Sequence, residues 1–188
     1  MILDEKKVRI FESFLLNTEL KVTASQIAKK QNLNQKSVSL FLSNLEGQGI
    51  LKSEFQGKNK LYFLNKENKE LLKHFLLLTE HFRTLLFYEK YPKIKIIISK
   101  IIPHVKGTLV LFGSYANGTS NSKSDLDLFI IGKYDKKVDE ILEDFNIEIN
   151  IKHQNKFSKN TLTKEIKKNH ILLSNFEEYI LEENKWIN

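Results

Sequence analysis

The 188-residue sequence contains no cysteine, so disulfides and thiolate metal sites are both excluded. It has no apolar run long enough to cross a bilayer. The richest stretches, Leu71 to Leu78 and Ile94 to Ile102, are too short or too interrupted by charge. The opening MILDEKKVRI has no unbroken apolar segment of the signal-peptide kind, and the sequence reads as that of a cytoplasmic protein with no membrane partner. No Gly/Ser/Pro-rich stretch separates the two halves, which argues against a flexible tether, and no internal repeat is visible. Ser-His-Asp and Walker-type patterns are missing. The five histidines, His74, His81, His104, His153 and His170, have no metal-ligand spacing. The single tryptophan, Trp186, reads as a packing residue.

What is present begins with charge. The net charge of +7 is unevenly placed: +4 over residues 1–65, +5 over 66–106 and −2 over 107–188. A basic first half suits an anionic partner such as nucleic acid. Solubility in a Lys-rich chain accounts for it equally well, and charge alone leaves both readings open.

Residues 4–17 carry Val8, Phe11, Leu15 and Leu16 at helical spacing. Thr23 can N-cap a second helix ending near Asn32, and Asn34 a third over roughly 35–48, whose Val38, Phe41, Leu42 and Leu45 form one face. Two strands, 50–55 and 61–64, flank a turn at 57–60. Three helices and a hairpin within residues 1–65 resemble a winged helix-turn-helix domain, the match lying in TASQIAKKQNLNQKSVSLFLSNLEGQGILKSEFQGKNKLYFLN. That resemblance implies double-stranded DNA as a partner. The third helix would expose Gln35, Lys36, Ser39 and Asn44 to the major groove, and the wing would offer Lys58 and Lys60 to phosphates. Domains of this pattern also bind proteins or dimerise.

Residues 66–91 read as a long helix ended by Pro92, with a wide apolar stripe from Leu71 to Tyr88. As a connector over 66–93 it could form a homodimer seam, or it could pack on its own domain. Beyond it the pattern alternates: a helix over 94–105, a buried strand over 107–112, a polar loop, a strand over 125–131, a helix over 135–145, a strand over 147–151, and helices near 159–169 and 174–186.

The chemistry is concentrated in the loop and the strand after it. Residues two apart on a strand share a face, so Asp125 and Asp127 project together, their Cα atoms roughly 6.5–7 Å apart. Two adjacent carboxylates repel unless a cation lies between them, and Mg²⁺ suits oxygen ligands and brings phosphate oxygens with it. Gly113 lacks a Cβ and lets a phosphate approach the main chain. Ser114 adds a hydroxyl and an N–H, and Tyr115-Ala116-Asn117 can begin a short helix whose first N–H groups attract anions. Polyphosphate on one side and metal on the other make a phosphoryl-transfer site.

FGSYANGTSNSKSDLDLFIIG closely resembles the signature of the DNA polymerase β-like nucleotidyltransferases, and more narrowly their minimal members. The motif spans about 20 residues, and the resemblance in strand order covers about 95–188. It implies an α+β chain with a small nucleotidyltransferase domain on a mixed sheet over 94–188. Gly113, Ser114 and Ser124 would bind a nucleoside triphosphate, and Asp125 and Asp127 two Mg²⁺. A third carboxylate normally completes the set, and Glu148 in NIEIN is the strand candidate, as metal ligand and as helper of the acceptor hydroxyl. Glu148 departs from the usual Asp. Asn150 shares its face but cannot act as a base. Asn117 stands where many relatives carry a basic residue, while Asn121 and Lys123 could reach phosphate or merely be solvated. The expected function is transfer of a nucleoside monophosphate to a hydroxyl on a protein, nucleic acid or small molecule. Two alternatives stand beside it: a DNA-binding regulator with a nucleotide-sensing or inactive transferase domain, and an antitoxin-like protein that modifies a partner protein.

Overall fold

A computed structural model of the chain describes residues 4–145, 147–158 and 160–184, apart from the side chains of 182–184. Trp186 lies outside the described residues. The chain forms two compact units, the first reaching to Phe82 and the second beginning at Arg83. The fold is α+β, with a helical N-terminal part and a mixed sheet in the second half. No helix among the described residues is long and apolar enough to cross a membrane.

The first unit is a winged helix-turn-helix. Its helices are α1 (Glu5–Leu15), α2 (Ala24–Gln31) and α3 (Gln35–Gly47), followed by strands β1 (Leu51–Gln56) and β2 (Asn59–Leu64). The starts of α2 and α3 follow from their caps. Thr23 Oγ1 accepts from the Gln26 N–H at 3.2 Å, and the Gln26 side chain accepts from the Thr23 N–H at 2.9 Å. These two bonds form a reciprocal capping box. Asn34 Oδ1 accepts from the Ser37 N–H at 3.2 Å. The turn between α2 and α3 leaves the helix through Asn32, whose φ of 52° is left-handed. Val38, Leu42 and Leu45 are fully buried, together with Phe11, Phe14 and Ile27. The Phe11 and Phe75 rings meet edge to face at 4.5 Å. β1 and β2 pair antiparallel from Leu51 opposite Leu64 to Gln56 opposite Asn59. Val22 and Tyr62 exchange backbone hydrogen bonds of 3.1 and 2.8 Å, which fastens the α1–α2 link to the wing.

α4 (Lys69–Lys90) contains the boundary between the units. The second unit continues with α5 (Pro92–Ile101), β3 (Val105–Phe112), α6 (Gly113–Asn117), β4 (Leu126–Tyr134), α7 (Lys137–Glu143), β5 (Ile149–Gln154), α8 (Thr161–Lys168), β6 (Ile171–Leu172) and α9 (Phe176–Asn184). Sheet order is β5-β4-β3-β6. β4 and β5 run parallel, and β3 is antiparallel to both β4 and β6. Ile94, Ile98 and Ile101 of α5 pack with Leu109 and Leu111 of β3, and with Leu126, Leu128 and Ile130 of β4, in one buried cluster. The alternation of β4 follows: Leu126, Leu128 and Ile130 turn to this core, and Asp125 and Asp127 have the opposite parity.

Several boundaries differ from those read in the sequence. Pro92 is the first residue of α5 as well as a stop for α4, because its missing N–H is not needed in a first helical turn. The strand expected over 147–151 runs over Ile149–Gln154, two residues later with the same facing pattern. β6 was not expected. It is two residues long and is held by its neighbours: Arg83 donates to the His170 carbonyl at 2.7 Å, Thr84 to the Leu172 carbonyl at 2.5 Å, and the Leu173 N–H to the Leu109 carbonyl at 2.8 Å.

Candidate active site

The β3–β4 hairpin builds most of the site. In its ladder Phe112 stands opposite Asp127, so the glycine that follows β3 begins directly beside the Asp127 side chain. Gly113 has φ +73°, and a Cβ on it would lie 2.1 Å from Asp127 Oδ2 and 3.0 Å from Asp127 Cγ. Both the left-handed backbone and the lack of space require glycine here. The Gly-Ser corner and the second carboxylate are therefore in van der Waals contact. Gly118, also left-handed at φ 72°, closes α6, its N–H reaching the Ser114 and Tyr115 carbonyls.

The loop after α6 is ordered by its own hydrogen bonds. The Asn121 N–H donates to Ser124 Oγ at 2.9 Å, the Ser124 N–H to the Asn121 carbonyl at 3.1 Å, and the Lys123 N–H to Asn121 Oδ1 at 2.9 Å. Ser124 Oγ thus already serves the turn that leads into Asp125. Tyr91 and Ser120 hydroxyls lie 3.0 Å apart, and the Tyr91 and Tyr115 rings meet edge to face at 5.2 Å, so the start of α5 supports α6.

β5 supplies the third side. Asn150 is the register partner of Asp127 in the parallel ladder. Its Nδ2 lies 3.4 Å from Asp125 Oδ2 and 3.4 Å from Asp127 Oδ1. One amide end thus reaches both carboxylates, and the two acids converge on a common point. Lys152, two residues on and on the same face of β5, is exposed, with its ammonium 5.5 Å from the centre of the Phe112 ring.

Glu148 is placed differently from the expectation. It is exposed and precedes β5, and its carbonyl accepts the Leu126 N–H at 2.8 Å. Among the described residues no group of three or more His, Cys, Asp or Glu side chains is gathered as a ligand set, so Glu148 does not form a three-carboxylate cluster with Asp125 and Asp127. Asn150 stands against the acid pair instead. Sequence reasoning set Asn150 aside because an amide is no base, and passed over Lys152. The alternation of Ile149 and Ile151 was the available signal. It puts Asn150 and Lys152 on one face, but which β4 residue they oppose depends on a register the sequence does not reveal.

The donor set fits a divalent cation. Two carboxylates of hard oxygen converge, and an amide carries an oxygen that a half-turn of its terminal group would present in place of nitrogen. Asp125, Asp127 and the Asn150 amide are the residues that would hold it, beside the Gly113-Ser114 corner.

On the first unit, Lys36 at the start of α3 and Lys58 at the wing turn are exposed, with no hydrogen-bonded or ion-paired partner among the described residues. Ser39 is half-buried on α3, and the Asn44 side chain accepts from Gln48 Nε2 at 2.8 Å. Lys60 is engaged: its ammonium lies 2.6 Å from Glu46 Oε2 on α3, and 5.1 Å from the centre of the Tyr62 ring.

Three comparisons bear on kinship. No curated protein matches the chain. A solved structure similar to its N-terminal part is a homodimeric winged helix-turn-helix DNA-binding domain from Mycobacterium bovis, described as a possible ArsR-family transcriptional regulator. The identity is 20%, the TM-score 0.31, and the match covers 37% of this chain and 61% of that one. The chain thus spans less than two thirds of that domain. The family profile described as "Nucleotidyltransferase domain" matches residues 91–186, which include the Gly-Ser corner, the acid pair and Asn150. By that match over half its length, the chain belongs to the nucleotidyltransferase domain family.

Proposed function

We propose that this protein moves a nucleoside monophosphate from a nucleoside triphosphate to a hydroxyl acceptor. The observation that carries the reading is the junction of the Gly113 corner with the Asp127 carboxylate, beside an Asp125 carboxylate that converges on the same Asn150 amide. Gly113 and Ser114 receive the phosphates, and Ser124 holds the loop that presents Asp125. Asp125 and Asp127 hold Mg²⁺, which when bound neutralises phosphate charge and orients the reacting groups. The acceptor oxygen attacks the α-phosphorus, the bond between that phosphorus and the bridging β-phosphate oxygen breaks, and pyrophosphate leaves. Glu148, exposed at the open edge of β5, takes the acceptor's proton rather than binding metal. In this reading residues 94–188 are the transferase, 1–65 the reader of a partner and 66–93 the connection.

The test is incubation of the chain with labelled ATP, GTP, CTP and UTP in Mg²⁺, with tRNA, duplex DNA and copurifying proteins offered as acceptors. Labelled product that disappears in the Asp125→Ala, Asp127→Ala double variant supports the reading. If the wild type neither transfers label nor binds any triphosphate, it fails.

A second reading is favoured by Lys36 and Lys58, two exposed cations without partners among the described residues, at the start of α3 and the tip of the wing. In that reading Lys36, Ser39 and Lys58 contact duplex DNA and the nucleotide site regulates binding. The acceptor could equally be a partner protein, as in an antitoxin-like pairing.

A further inference from the structure

The third side of the site is an amide flanked by an ammonium, where a two-metal transfer site would need a third negative charge. We propose that this site takes its triphosphate together with a single divalent cation, with Asn150 as the neutral third ligand and Lys152 as the phosphate-facing charge that replaces a second cation. The proposal rests on the nucleotidyltransferase reading and deepens it.

The first support is geometry. The Asn150 amide is within 3.4 Å of one oxygen from each aspartate. Its NH₂ bridges the two acceptors, which relieves the repulsion between them. When a cation enters that point, the same amide rotates and offers oxygen. The position comes from β5, whose parallel pairing fixes Asn150 opposite Asp127.

The second support is charge. Asp125 and Asp127 supply −2, which balances one divalent cation. Lys152 adds +1 on the same face, two residues along, with its ammonium near the Phe112 ring at the foot of the Gly113 corner. Two bare divalent cations would place +4 and the Lys152 charge against only two carboxylates, and such close like charges repel. A second cation is therefore not held by the protein, while a cation that arrives on a triphosphate brings its own counter-charge. Lys152 then meets phosphate oxygens as a point charge, the role lysine fills in phosphate sites generally.

The experiment is a Mn²⁺ titration of the full chain, read by electron paramagnetic resonance of free Mn²⁺, without nucleotide and with each of the α,β-methylene analogues of ATP, GTP, CTP and UTP. The wild type is expected to bind Mn²⁺ weakly alone. With the preferred analogue it is expected to hold one ion per chain. Asn150→Asp adds a negative ligand and is expected to raise affinity for Mn²⁺ alone by about tenfold or more, and to admit a second ion with the analogue. Lys152→Gln is expected to weaken the analogue and leave Mn²⁺ alone unchanged or slightly tighter. Glu148→Gln is expected to change neither. Two ions per wild-type chain, or loss of binding in Glu148→Gln with no gain in Asn150→Asp, overturns the proposal while leaving the transferase reading intact. No Mn²⁺-dependent analogue binding by the wild type at all would instead sink the transferase reading, a distinct outcome in the same titration.

Discussion

Replacing Gly113 by alanine is the sharpest single perturbation of the site, because it adds one methyl group and removes no functional atom. Two costs follow from the geometry. At φ +73° an alanine is in the left-handed region, which disfavours an L residue by about 1–2 kcal/mol. The new Cβ would also stand 2.1 Å from Asp127 Oδ2, where ordinary contact begins at 3.4 Å, so the carboxylate must retreat by more than an ångström. Overpacking of this kind costs about 1–3 kcal/mol. The sum is about 2–5 kcal/mol of local stability. Retreat also takes Asp127 from its place beside Asp125 and Asn150, so affinity for a metal–triphosphate analogue should fall about 10–100-fold, as when a group supporting a metal ligand is disturbed. The two costs separate in a double-mutant cycle. In an Asp127→Ala background the overlap disappears and Gly113→Ala should cost only the backbone term, leaving a coupling of about 1–3 kcal/mol. Hydrogen exchange of β3 and β4 amides in the full chain measures the stability arms, and calorimetric titration with the analogue measures the binding arm. Equal exchange costs in both backgrounds, or an unchanged affinity, would refute the contact between corner and carboxylate on which the site is built.

Three further outcomes can be checked on the first unit. The Lys60 ammonium and Ser53 hydroxyl hold the Glu46 carboxyl below its ordinary value of 4.5, while Glu46 raises Lys60 above 10.5. The pair's contribution should therefore be present between those values, lost below pH 4.5 as Glu46 protonates and lost again above pH 10.5. Both side chains are about a third exposed, so Glu46→Gln should cost only about 0.5–1 kcal/mol at pH 7, with the cost shrinking as pH falls below 4.5. Thr23→Ala breaks the capping box of α2 and should lower stability by about 1 kcal/mol in denaturant unfolding, with Thr23→Ser nearly neutral. If the winged helix meets duplex DNA, Lys36→Ala and Lys58→Ala should each reduce the salt slope of binding by about one unit with no loss of stability. Lys60→Ala should instead destabilise the unit; a stable Lys60→Ala variant with a lower salt slope would reassign that residue.

Much of the architecture could be read from the sequence because it rests on local rules. Thr23 and Asn34 announced their helices through capping chemistry, and the alternation of Leu126, Asp127, Leu128 put core and chemistry on opposite faces before any partner strand was known. What escaped depended on neighbours. β6 has two residues and exists because β3 offers it an edge and α4 offers its carbonyls Arg83 and Thr84, so Ile171 and Leu172 alone carry no strand signal. The Ile147 to Ile151 alternation fits a strand beginning at either 147 or 149. Only pairing with β4 chooses the later start, and that choice brings Asn150, not Glu148, opposite Asp127. Lys60 looked like a free wing cation because Glu46 is fourteen residues away along the chain, and α3 has to fold against β2 before the two meet.

The Gly-Ser corner and the acid pair sit at the two ends of a single loop between neighbouring antiparallel strands, with Phe112 facing Asp127 across the ladder. Closing so short a stretch of chain costs little entropy, and shifts elsewhere in the molecule cannot part the two without undoing the hairpin itself. The amide comes separately, after the crossover through α7 into a parallel neighbour. The shape of the Gly-Ser corner and the charge of the face opposite Asp127 are thus written in different segments, so either can drift under selection while the other stays fixed.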